Sequence, residues 1–246
     1  MDPTIGRSAA ALETGLEAAI AAVIFDLDGV LVDTQIWWRE VRDAWGDGHG
    51  ITWRDEDERR TMGANTAQWA RMMAERAGLD AGHDAEIART IVEALVERYR
   101  AEGAPRIPGA VEAVRSIAGS YPVGVASGSH RRLIEVALQS IGLAGVVWTV
   151  VSADDVAHGK PAPDVYLEAA RRLGVDPGRC LVVEDSLNGL QAAQAAGMTA
   201  VLVPNAKVPP DPSAAARADL VLDRLEQLDP ATIRAIPVTP TRTARG

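Results

Sequence analysis

Val23-Ile24-Phe25-Asp26-Leu27-Asp28-Gly29-Val30-Leu31-Val32-Asp33-Thr34 is the stretch on which the fold turns. Its apolar run reads as a buried strand that delivers two carboxylates, at i and i+2, to its carboxyl end. A glycine follows at once. Residues i and i+2 of an extended chain point the same way, so Asp26 and Asp28 can face one pocket. Clustered carboxylates repel unless a cation or a shared proton relieves them. The pair favours a Mg2+-dependent site with one nucleophilic and one proton-carrying Asp. Taken alone, it equally fits a strand end finished by solvated acids.

Three further polar clusters follow, each at or just beyond a predicted strand end. Pro122-Val123-Gly124-Val125-Ala126 leads to Ser127-Gly128-Ser129. A strand over 146–151 leads, after an acidic loop, to Gly159-Lys160-Pro161. Leu181-Val182-Val183 ends in Glu184-Asp185-Ser186. Ligands of open parallel sheets sit outside the carboxyl ends of the strands, so all four clusters can meet in one crevice. In these motifs and their order the chain resembles the haloacid dehalogenase superfamily, over residues from about 21 to 225. It is most similar to the branch with beta-phosphoglucomutase, phosphoglycolate phosphatase and small sugar-phosphate phosphatases.

The resemblance implies roles. Asp26 matches the nucleophile, which forms an aspartyl phosphate. Asp28 matches the acid/base and offers its backbone carbonyl to Mg2+. Dehalogenases share the first Asp and lack the second, because a halide leaves without a proton, so dehalogenation is disfavoured here. Ser127 matches the hydroxyl that bonds phosphate, helped by the amides of Gly128 and Ser129 at a helix start. Lys160 matches the lysine that touches nucleophile and phosphate. Asp185 is expected as a direct metal ligand and Glu184 as one acting through water; hard oxygen donors suit Mg2+. For Asp154 and Asp155 a capping or solvated loop is the better reading, and His158 reads as exposed.

Composition sets bounds. The chain has 246 residues, 47% hydrophobic and 24% charged, as in ordinary globular proteins. A net charge of −9 argues against nucleic-acid backbone binding, while one small phosphorylated metabolite remains an easy partner. No apolar run approaches the roughly 20 residues that span a membrane. The start makes a poor signal peptide, so a cytoplasmic protein is expected. The single cysteine, Cys180, cannot form an intrachain disulfide and reads as a core thiol.

The expected architecture is α/β: a Rossmann-like parallel sheet with helices on both faces, plus an inserted all-helical cap. Residues 1–20 form an arm, 21–34 and 105–236 the core, 35–104 the cap, and 237–246 a disordered tail. Helix and strand alternate through the core, and Gly142, Gly174 and Gly197 fit left-handed helix ends. In the cap, helical periodicity marks 36–45, 67–77 and 85–100. Five of the six tryptophans lie there and suggest a small core of its own.

Cap residues from two regions are expected to face substrate: the first helix, with Gln35, Trp37, Trp38 and Arg39, and the loop from Thr61 to Thr66. Trp38, Asn65 and Thr66 are the chosen substrate contacts. The mutase relatives carry a His where Trp38 stands and an Arg where Thr66 falls. Both departures favour a phosphatase acting on a sugar, polyol or glycolate phosphate. A phosphosugar mutase is the first rival reading, and a non-catalytic binding protein on the same scaffold is the second.

Overall fold

The computed structural model describes residues 19–61, 63–207 and 211–236. The expected arm, but for its last two residues, and the tail over 237–246 lie outside them, as does Met62. Six parallel strands form one sheet: β1 (Ala22–Phe25), β2 (Val123–Ser127), β3 (Thr149–Ser152), β4 (Cys180–Glu184), β5 (Thr199–Leu202) and β6 (Leu220–Val221). Their order is β3-β2-β1-β4-β5-β6. The chain builds outward from β1 on one side, then returns to β1's other edge with β4. Such a switch opens a crevice at the carboxyl ends of β1 and β4.

Alternation along the strands sorts side chains to two buried faces. Val23, Phe25, Val125 and Val183 join one cluster, and Ala22, Ile24, Val182 and Ala200 the other. Phe25 lies level with Val125 on one neighbour and Val183 on the other. The next residues, Asp26 and Glu184, therefore emerge side by side. Helices α5 (Ala110–Ala118), α6 (Arg131–Ser140), α7 (Asp164–Leu173) and α8 (Leu187–Ala195) connect the strands, and α9 (Pro230–Ala235) follows β6. Gly142, Gly174 and Gly197 have φ of +73°, +70° and +73°, as expected for helix ends. Cys180 is buried, and burial pushes its thiol up to about 12. Among the described residues no helix is long and apolar enough to cross a membrane.

The insertion holds α1 (Gln35–Gly48), α2 (Asp55–Thr61), α3 (Thr66–Arg76) and α4 (Asp84–Glu102). The chain leaves and re-enters the sheet domain along adjacent segments. Asp33 N donates to Pro105 O at 2.7 Å and Ile107 N to Leu31 O at 3.1 Å. Helix α2 was absent from the periodicity reading because its sequence is almost wholly polar. Its four acids in the first turn favour a helix start instead.

Two expectations are corrected. Strand β3 is shorter than 146–151 and lies later: Val146 and Val147 donate to Leu143 O to close the turn after α6, and Trp148 is 71% exposed. A separate insertion core does not form. Trp37, Trp69, Ile91 and Leu95 pack in one continuous cluster with Phe25, Leu133 and Ile134, because α4 lies against α6.

Candidate active site

Strand pairing stops at Phe25, so Asp28 does not reach the crevice by strand alternation. A tight turn carries it there: Leu31 N and Val32 N both donate to Leu27 O, and Gly29 N donates to Val32 O at 2.7 Å. Gly29 takes φ +91°, and a Cβ there would sit 1.9 Å from Asp185 Oδ2. Only a residue without a side chain lets this turn lie against Asp185.

Lys160 and Asp26 are each 6% exposed. Lys160 Nζ donates to Asp26 Oδ1 and to Glu184 Oε1, both at 2.6 Å. Glu184 is further held by Tyr166 OH at 2.6 Å, by the amides of Asp185 and Ser186 at 3.1 Å, and by Ser186 Oγ at 2.9 Å. Asp28 accepts from Thr34 Oγ1 at one oxygen and from Ser129 Oγ at 2.7 Å and Ser127 Oγ at 3.3 Å at the other.

Electrostatics follow from burying several acids beside one ammonium. Burial pushes the Asp26 carboxyl up to about 7, with Lys160 opposing and Glu184 and Asp28 reinforcing. Burial and then the Glu184 and Asp26 charges raise Asp185 well above the carboxylate range. Burial also works against the charges of Glu184 and Lys160. The Lys160 ammonium overcomes it and holds Glu184 below the usual value, while Asp26 and Glu184 hold Lys160 well above its own.

Carboxylate oxygens of Asp26, Glu184 and Asp185 lie within 4.8 Å of one another. Buried hard donors carrying excess negative charge fit a small divalent cation such as Mg2+. Glu184's oxygens are both engaged by protein donors, so Asp26 and Asp185 are the freer ligands.

A cavity of about 290 Å³ opens above the cluster. Asp26, Asp28, Ser127, Gly128, Ser129, Lys160 and Asp185 line its sheet side, and Gln35, Trp38, Arg42, Glu58 and Trp69 its insertion side. Glu184 lies behind Lys160. Asn65 and Thr66 do not line it. Asn65 caps α3, accepting from Gln68 N at 2.9 Å. Thr66 grips the sheet domain instead: its N and Oγ1 donate to Asp154 at 2.9 and 2.7 Å. Asp155 caps its own loop and pairs with Arg131 and Arg172, and the His158 side chain is exposed beside Asp164.

Sequence reasoning missed Tyr166, Arg42, Glu58 and Trp69's indole. Arg42 had a signal: with Gln35, Trp38 and Arg39 it falls at i, i+3, i+4 and i+7, one face of α1. Tyr166 had none beyond its place in the first turn after the Lys160 loop.

A parallel α/β sheet that gathers four acids and one lysine under a helical insertion is the frame of an enzyme acting on an anionic group. The family model for haloacid dehalogenase-like hydrolases matches residues 20–197, and the chain belongs to that family. It is 38% identical over 186 residues to the fructose-1-phosphate phosphatase YqaB of Escherichia coli K12, covering 74% of this chain and 95% of that protein. It is 33% identical over 215 residues to hexitol phosphatase B of the same organism, covering 85% and 94%. The crystal structure of CbbY from Rhodobacter sphaeroides with phosphate superposes with a TM-score of 0.74 at 26% identity, covering 85% of this chain and 96% of that one.

Proposed function

We propose that the protein is a Mg2+-dependent phosphatase that hydrolyses a small phosphomonoester of the sugar or polyol class. The observation that carries this reading is the Lys160 bridge between Asp26 and Glu184, with Asp28 and Asp185 on the same cavity wall. The named activities of YqaB and hexitol phosphatase B support the substrate class.

Asp26 attacks phosphorus. The bond to the ester oxygen breaks as the Asp26–phosphorus bond forms, and Asp28 gives its proton to the departing alkoxide. Asp28, now a carboxylate, takes a proton from water. The resulting hydroxide attacks phosphorus, the bond to Asp26 breaks, and phosphate leaves with Asp28 protonated again. Thr34 and Ser129 hold Asp28 in place through both transfers, while Ser127 turns its one hydroxyl proton from Asp28 to the phosphate. Ser127, Lys160 and the amides of Gly128 and Ser129 receive the phosphoryl oxygens. Asp26 and Asp185, with the Asp28 carbonyl, would hold the cation, and Glu184 fixes Lys160 from behind. When bound, Mg2+ neutralises the acids and the phosphoryl oxygens. The helical insertion acts as a cap: its Gly63 approaches Gly128, Gly159 and Lys160 closely enough to shield the site.

The test is phosphate release from a panel of phosphorylated metabolites, with Mg2+ and with EDTA, beside Asp26→Asn. Release that needs Mg2+ and vanishes in the variant is expected. Undiminished release by folded Asp26→Asn would overturn the nucleophile.

A further inference from the structure

Tyr166 stands behind the Lys160 bridge and is wholly buried. Its hydroxyl donates to Glu184 Oε1 at 2.6 Å, the same oxygen that accepts from Lys160 Nζ at 2.6 Å. Its ring lies under the ammonium, with Nζ 4.8 Å from the ring centre. Tyr166 does not line the cavity, so it meets neither substrate nor phosphate. Burial first, and then the Glu184 charge, raise its hydroxyl well above the usual phenol range, so it stays a hydrogen-bond donor. A group so placed can act only through its neighbours.

A lysine ammonium has three protons to give. Lys160 spends one on Asp26 Oδ1 and one on Glu184 Oε1, while its remaining contact, to Ala126 O, is long at 3.4 Å. The third proton is therefore the one a phosphoryl oxygen can take with both carboxylate bonds kept. That arrangement needs a balanced pull from Asp26 and Glu184. Glu184 is wholly buried, and burial strengthens its pull on the ammonium. The Tyr166 proton, seated on the same oxygen, moderates that pull. The ring face attracts the ammonium without taking a proton from it. Lys160 thus stays between its two carboxylates instead of collapsing onto Glu184.

Building on the phosphatase reading, we propose that Tyr166 is a positioning residue for Lys160: by sharing Glu184 Oε1 with the ammonium, its hydroxyl keeps one N–H of Lys160 available to the phosphoryl group beside Asp26. Tyr166 follows Lys160 in the segment that runs into α7, so the lysine and its guide are set by the same stretch of backbone.

The experiment uses Tyr166→Phe, which keeps the ring and removes the hydroxyl. Kinetics are taken per folded molecule, well below the variant's melting temperature, with p-nitrophenyl phosphate and phenyl phosphate in saturating Mg2+. The expected kcat/KM falls about tenfold, the loss of one hydrogen bond to a charged group. The loss is the same within about twofold for the two esters, because Lys160 serves the nucleophile and the phosphoryl group and not the departing oxygen. A packing role alone lowers the melting temperature and leaves kcat/KM per folded molecule intact, and that result overturns the proposal. A loss confined to phenyl phosphate, the ester whose leaving group needs its proton more, also overturns it. Mg2+-dependent turnover of p-nitrophenyl phosphate by the wild-type protein separately tests the phosphatase reading. Should it fail, calorimetric binding of orthovanadate, a tetrahedral phosphate analogue, still decides the role of Tyr166. Binding at least about fivefold weaker in Tyr166→Phe supports it. Equal binding, or no binding to either protein, overturns it.

Discussion

Gly29→Ala is the sharpest probe of how the turn and the acidic cluster fit together. The added Cβ would stand 1.9 Å from Asp185 Oδ2 and 2.6 Å from its Cγ, so the carboxylate or the turn must move. The backbone, at φ +91°, adds strain of about 1–3 kcal/mol for a residue with a side chain. Displacing Asp185 also loses its bond from Gln35 Nε2 at 3.1 Å, about 1 kcal/mol more. The sum, about 2–4 kcal/mol, lowers the melting temperature by about 4–16 °C for a chain of this size. Disturbing a ligand's setting weakens metal affinity about 10- to 100-fold, so half-saturating Mg2+ in the phosphate-release assay rises by that factor. Gly78→Ala is the control: its φ is +69°, but nothing lies within 4 Å of the added methyl. It carries the backbone cost alone and keeps the Mg2+ curve. A Gly29→Ala enzyme with wild-type melting and wild-type Mg2+ dependence would refute the account.

Two further outcomes are open to measurement. Without metal, stability should fall as pH rises from 5 to 8. Burial holds the folded Asp26 carboxyl up at about 7 against 3.8 when unfolded, so the folded form keeps its extra proton at low pH and loses that advantage as pH climbs through the folded value. The change over this window is at most roughly 3 kcal/mol, and saturating Mg2+ should flatten it; a melting temperature in EDTA that does not vary over this range would contradict the burial argument. Asp154→Ala removes the acceptor for Thr66 N and Oγ1, and with it a negative charge beside the start of α3. KM should rise about three- to tenfold as the insertion seats less firmly, and an unchanged KM would mean that this contact does not hold the cavity closed.

The legible part of the chain was what repeats or punctuates. Apolar runs ending in acids or serines gave the strands and put Asp26, Ser127, Glu184 and Asp185 at their tips, and glycines gave the helix ends. What failed depends on partners far apart in the chain. Thr66 looks like a substrate contact until Asp154, 88 residues on, takes both its donors. Tyr166 looks like any apolar helix residue, because only its hydroxyl reaches Glu184 and local periodicity is blind to that oxygen. The β3 boundary slipped because Val146 and Val147 have strand-like side chains but serve the turn after α6.

The α1 face makes the same point for function. Gln35, Trp38, Arg39 and Arg42 share one stripe. By hydropathy the stripe is mixed, and a mixed stripe is neither a good core face nor a good solvent face. Here it serves as the wall of a cavity, with Trp38 and Arg42 buried, Gln35 half-buried and Arg39 exposed. The glycines complete the logic. A Cβ on Gly128 would approach the Gly63 backbone to 3.1 Å, and one on Gly159 the Gly63 carbonyl to 2.8 Å. At the Gly63 loop the insertion thus rests on the sheet domain through bare backbone. Bare backbone leaves no side chain to fill the gap, so α1's stripe and the acidic cluster can face one another across a space sized for a small molecule.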